Sequence, residues 1–166
     1  MNPLSSQAQA SLVFNRPFAE RLHRFPKRIV FTEGEDVRVL RVAARLVAEE
    51  LAVPILLGPR ERILALAEKE GVSMNFVKVI EPSESSDFAL FCRRFVRIEQ
   101  FRQVEVTNPE AIMSRPHYFG AMMVQYGQAD ALVGGNQALP ATLFRALIHV
   151  IKPMPEVPKM FATTIL

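Results

Sequence analysis

Apolar and polar positions fall in blocks along this chain, and the period of the pattern changes regularly from block to block. Arg28-Ile29-Val30-Phe31-Thr32 is a short apolar run with β-branched residues and reads as a buried strand. The turn Glu33-Gly34-Glu35-Asp36 follows, its last acids suiting a helix start. Val37, Leu40, Ala44, Val47 and Leu51 then recur at helical spacing, while Arg38, Arg41, Arg45 and Glu49 fall largely elsewhere. The unit repeats: Val53 to Leu57 reads as a strand, Gly58 as a turn, Pro59 as the first turn of a helix and Gly71 as its C-terminal cap. Phe76 to Ile80 is a third strand, Glu81-Pro82-Ser83 a loop, and a helix is expected from about Asp87 to Gln103. Strand centres near Ile29, Ile55 and Val79 leave room for a crossover helix between parallel strands.

Further on, Pro109 to Met113 predicts a short helix and Tyr118 to Tyr126 another, ended by Gly127. Ala131-Leu132-Val133 reads as a buried strand, Gly134-Gly135-Asn136 as its exit turn, and Pro140 to Ile151 as a helix. This rhythm predicts an α/β fold, a three-layer parallel sheet with helices on both faces. The strands near Ile29, Ile55, Val79 and Leu132 are expected to be neighbours in one sheet. Residues 1–25 read as a loose lead-in with a short helix from Pro17 to Phe25, and residues 26–152 as the α/β domain. Pro153, Pro155 and Pro158 break the pattern before an apolar strand from Phe161 to Leu166. Residues 153–166 are therefore expected to begin a truncated second domain, and the fold to be partial.

Composition narrows the classes. With 166 residues, 49% hydrophobic and 22% charged, the chain suits one globular domain and not disorder or a coiled coil. Lysine and arginine exceed aspartate and glutamate by 20 to 17. Arg93, Arg94, Arg97 and Arg102 lie close together but without the aromatic partners of an RNA-binding sheet, so a solvated helix face and no nucleic-acid partner are expected. The single cysteine, Cys92, excludes an internal disulfide, reads as a buried structural thiol and fits the cytoplasm. No uncharged apolar run approaches the length of a membrane span, so no membrane partner is expected.

In an open parallel sheet ligands collect beyond the carboxyl ends of the strands, which singles out the turns at Glu33-Gly34-Glu35, Gly58-Pro59 and Gly134-Gly135-Asn136. None carries a dinucleotide-binding or P-loop pattern. Gly134-Gly135 is either a bare turn pair or a place where backbone N–H groups approach an anion. His23, His117 and His149 are too scattered for a metal site, and His149 reads as packing. Glu33, Glu35 and Asp36 are either paired carboxylates for proton transfer or solvated acids at a helix N-terminus.

Lys27-Arg28-Ile29-Val30-Phe31-Thr32-Glu33-Gly34-Glu35-Asp36 with Arg38-Val39-Leu40 and the stretch Ala52 to Gly58 resembles the opening of the phosphate acetyl/butyryl transferase family. Tyr118-Phe119-Gly120-Ala121-Met122-Met123-Val124, then Gly127, Ala129-Asp130-Ala131-Leu132-Val133 and Gly135, continue the likeness to about Lys152. The resemblance implies the isocitrate/isopropylmalate dehydrogenase-like version of the three-layer fold. It also implies transfer of an acyl group between coenzyme A and inorganic phosphate by a homo-oligomer that needs no metal or redox cofactor. Arg145 matches a family position associated with the phosphate cleft, beside Gly134, Gly135 and Asn136, and Arg102 matches another more loosely. The chain departs from the family at Gly134, where a serine is usual, at Ala138-Leu139-Pro140 in place of a small polar stretch, and at Thr142 in place of a common acid. The family's serine, arginine and aspartate set lies in a second half to which no position here corresponds. The catalytic residues thus stay unassigned, and the 166-residue chain alone is expected to be inactive. The alternative is a non-catalytic acyl-CoA or acyl-phosphate sensing or assembly domain, similar to the C-terminal region of long malic enzymes.

Overall fold

Four short parallel strands form the centre of the computed structural model, which describes residues 19–151 and residue 156. The elements, in chain order, are β1 (Lys27–Phe31), α1 (Val37–Ala48), β2 (Ala52–Leu57), α2 (Arg60–Lys69), β3 (Lys78–Ile80), α3 (Phe88–Gln100), α4 (Pro109–Met113), α5 (Pro116–Gln125), β4 (Ala131–Val133) and α6 (Pro140–Val150). Residues 19–24 are also helical, covering the described part of the helix expected from Pro17. The strand expected from Phe161 to Leu166 lies outside the described residues.

The sheet order is β3-β2-β1-β4, and every pairing is parallel. Val30 stands opposite Ile55 on one side and Leu132 on the other. Because successive strand residues point to opposite faces, each strand feeds two cores. Phe31, Leu56 and Val79 meet Val39, Leu40 and Ala43 of α1 and Ile63 and Ala67 of α2. Val30, Ile55 and Leu57 meet the larger layer built by α3 to α6, where Phe91, Phe95, Phe119 and Met122 are buried. The parallel three-layer arrangement expected from the sequence is therefore present.

Three expectations need correction. β3 starts at Lys78 instead of Phe76, because the N–H of Val77 closes a turn onto the Met74 carbonyl and Phe76 takes a positive φ of 61° with its ring in water. α1 and α3 stop short of Leu51 and Gln103, at Ala48 and Gln100. β4 is not buried: it pairs only with β1 among the described residues, and Val133 is 46% exposed.

Candidate functional site

The chain runs outward from β1 to β3 with α1 and α2 on one face, then returns past β1 to β4 through helices on the other. The strand order reverses between β1 and β4, and at such a reversal the turns leaving the two strands diverge and open a crevice at their carboxyl ends. Here a cavity of about 320 Å³ lies between α1 and the β4 exit, with Phe31, Val39, Val42 and Val133 below and Arg38 and Gly134 to Asn136 at its rim. A larger cavity of about 650 Å³ lies over the sheet face near Arg28, Arg60 and Lys78. It runs along the sheet from Arg28 and Val53 to Ile80 and Glu81 just past the end of β3, and two of its cations are engaged, Arg28 with Asp130 and Arg60 with the Val79 carbonyl.

Two acids from the turn after β1 reach across the crevice. One carboxylate oxygen of Glu33 accepts the backbone N–H of Asn136 at 2.7 Å, and the other accepts those of Gln137 and Ala138, each at 2.7 Å. Burial pulls the Glu33 carboxyl upward, but the three amide donors together outweigh it and hold the group below its usual range. Asp36 caps α1 by accepting the Arg38 N–H at 2.8 Å and pairs with the Arg38 guanidinium at 2.7 Å. It also accepts from the side-chain amides of Asn136 at 2.6 Å and Gln137 at 3.0 Å. Arg38 is the main reason why the Asp36 carboxyl stays far below its usual range despite burial. Asp36 is buried and Glu33 half-buried, and neither is poised for proton transfer: both are held ionised as structural anions.

Beyond β4 the backbone N–H groups of residues 136–138 face the Glu33 carboxylate; of the turn Gly134-Gly135-Asn136, Asn136 is the member that takes part. Gly134 has its own reason. A Cβ built there would collide with the Thr32 hydroxyl, so the serine usual in the family does not fit beside Thr32 in this conformation.

Arg145 lies in the second turn of α6, exposed to solvent, and its guanidinium has no ion pair or hydrogen bond among the described residues. Its charge, after that of Arg115, acts to lower the Tyr118 phenol against the upward push of burial. The structure does not bring Arg102 into this group. Its guanidinium pairs with buried Glu99 at 3.1 Å and donates to the Ile148 carbonyl at 2.8 Å, at the opposite end of α6 from the Gly134 turn. His117, one of the scattered histidines of the sequence, also lies within the electrostatic reach of Glu33. It is half-buried in the first turn of α5, lowered chiefly by burial and next by Arg115, with Glu33 pulling the other way. Pro116 at the first helical position was the available signal that His117 starts a helix at the strand ends. Among the described residues no group of three or more His, Cys, Asp or Glu could hold a metal ion.

With this geometry in place, comparison with known proteins decides the family. The model of the phosphate acetyl/butaryl transferase family matches residues 13–166. The chain belongs to that family. A phosphate acetyltransferase of Staphylococcus aureus strain MRSA252 is 33% identical over 130 residues, covering 78% of this chain and 39% of the relative. One from Nitratidesulfovibrio vulgaris is 31% identical over 145 residues, covering 87% of this chain and 21% of the relative. A solved phosphotransacetylase from Streptococcus pyogenes superposes with a TM-score of 0.81 at 31% identity, covering 94% of this chain and 46% of that one. Another, from Staphylococcus aureus, gives 0.80 at 29% identity, covering 90% and 44%. The chain spans less than half the length of these relatives.

Proposed function

We propose that this phosphate acetyl/butaryl transferase family member serves acyl transfer between coenzyme A and inorganic phosphate, with Arg145 as a phosphate-binding residue beside Gly134, Gly135 and Asn136. The observation that carries the reading is Arg145 itself: an exposed guanidinium without a carboxylate partner among the described residues, carried on the helix that leaves the crevice. Chemically, a thiolate attacks the carbonyl carbon of an acyl phosphate, the C–O bond to phosphate breaks, and phosphate departs with the electron pair; the reverse direction makes acyl phosphate. A planar guanidinium suits the departing group because it can donate two hydrogen bonds to two oxygens while staying charged. The thioester is a substrate, and the reaction as written calls for no metal or redox cofactor.

The same reading puts the chain in the cytoplasm as a homo-oligomer. No helix among the described residues is long and apolar enough to cross a membrane. Exposed Phe144 and Ile148, one turn apart on α6, support a protein contact there. A second reading, binding without turnover, is favoured by one observation: the amides of residues 136–138 are occupied by Glu33.

Calorimetric titration of acetyl phosphate into the wild type and Arg145→Ala tests the first reading. Loss of charge-assisted hydrogen bonds should weaken binding by about 1.5–3 kcal/mol. Equal affinities remove Arg145 from the site. Binding without phosphate-dependent release of coenzyme A thiol selects the second reading.

A further inference from the structure

We infer that Glu33 is the positioning residue of this crevice, its carboxylate fixing the loop at residues 136–138 and thereby the helix that carries Arg145. The ligand half of this inference rests on the phosphate reading above; the loop half does not. The loop after β4 has little of its own to define it. It opens on two glycines, Gly135 with a positive φ of 93°, and it runs into α6 through Leu139, whose side chain offers no cap. α6 also has no acid in its first turn. What this segment lacks, Glu33 supplies from the far side of the crevice: three short charge-assisted hydrogen bonds to three successive amides. Asp36 adds a second hold, on the side chains of Asn136 and Gln137 and not on the backbone. Arg145 follows Pro140 within about one and a half helical turns, so a displaced loop carries the guanidinium with it.

The division of labour between the two carboxylate oxygens makes the inference testable atom by atom. Glu33→Gln keeps one acceptor oxygen and replaces the other with an NH₂ donor. Its oxygen can serve the Gln137 and Ala138 amides, leaving the donor against the Asn136 N–H. Amide hydrogen exchange followed by NMR on the 166-residue chain should show Asn136 alone losing protection in Glu33→Gln. All three amides should lose it in Glu33→Ala, by tenfold or more. Val30 and Leu56 in the core should keep their protection in both, which separates a positioning role from a general loss of fold. If Glu33→Ala fails to fold, the single-amide pattern in Glu33→Gln decides alone. Titration with inorganic phosphate should then give a dissociation constant raised about tenfold in Glu33→Ala.

Unchanged protection at residues 136–138 overturns the inference, and so does a loosened loop with unchanged phosphate affinity. So does phosphate binding to the wild type that frees the Glu33 carboxylate from these amides, which would make it a displaceable plug. Failure of the wild type to bind phosphate overturns the functional reading of Arg145 alone, and the amide pattern still decides the clamp.

Discussion

At the scale of single residues, two side chains set the conditions for a buried neighbour. Thr32 fills the space that a side chain at position 134 would need. Gly134→Ser should therefore destabilise the fold by about 1–3 kcal/mol, as overpacking does. Thr32→Ala in the same chain should recover most of that loss, and a double-mutant cycle read by urea unfolding should give a favourable coupling between the two changes. Arg102 is the second. It is the only cation in hydrogen-bond contact with buried Glu99 among the described residues, since His149 stands 3.8 Å away. Arg102→Ala should cost about 2–3 kcal/mol, less than for a fully buried pair because Arg102 is itself 29% exposed. Equal urea midpoints for wild type and variant would contradict this. Of the candidate site, the glycine turn was legible from neighbours in the chain, whereas Arg145 was singled out only by the family resemblance. It could not disclose that Glu33 and Asp36 reach the 136–138 loop. Those bonds span 100 to 105 residues, and an acid bound to a distant amide looks in sequence like any solvated acid at a helix start.

At the scale of elements, the helix ends show what local sequence can and cannot announce. α1, α2, α3 and α5 all finish the same way. A residue of positive φ follows the helix, its N–H bonds back to one carbonyl, and the next N–H reaches the carbonyl one residue deeper. In α2 and α5 that residue is Gly71 or Gly127, and both ends were legible in the sequence. In α1 and α3 it is Glu50 (φ 53°) or Gln103 (φ 57°), and there the apolar periodicity runs on past the true end. The same bonds stop all four helices; the strain of a Cβ in the left-handed region is the difference. Glu50→Gly should thus raise stability by about 0.5–1 kcal/mol, part of the relieved strain being offset by the freer unfolded chain. A thermal melt showing destabilisation would mean that the Glu50 side chain contributes more than its conformation costs. β4 departs from its sequence pattern for another reason. Its composition is that of a buried strand, but burial depends on what lies beyond the edge of the sheet, which three residues of sequence do not carry.

At the scale of the whole molecule, the acids of the crevice set the response to pH. Glu33 and Asp36 have folded-state values below their ordinary 4.5 and 3.8. A lowered carboxylate contributes stability that is complete above its ordinary value and is lost as pH falls through the folded one. Stability should therefore hold from neutrality down to about pH 5 and decline below it, with a shallower decline in Glu33→Gln, as urea midpoints at about pH 7 and about pH 3 would show. An equal slope in both proteins would mean that Glu33 titrates alike in the folded and unfolded states. The same connection between distant parts also orders events in time. β1, β2 and β3, with α1 and α2, come from one continuous stretch and assemble through short loops, whereas β4 joins β1 only after the chain has closed on itself across some hundred residues, marked by the Arg28–Asp130 pair. Closing so long a loop is slow and is rewarded only when the edge strand docks. The half of the crevice that carries Arg145 is then the last part to fold and the first to open. Breathing motions that expose the rest of the molecule far less often should reach it first.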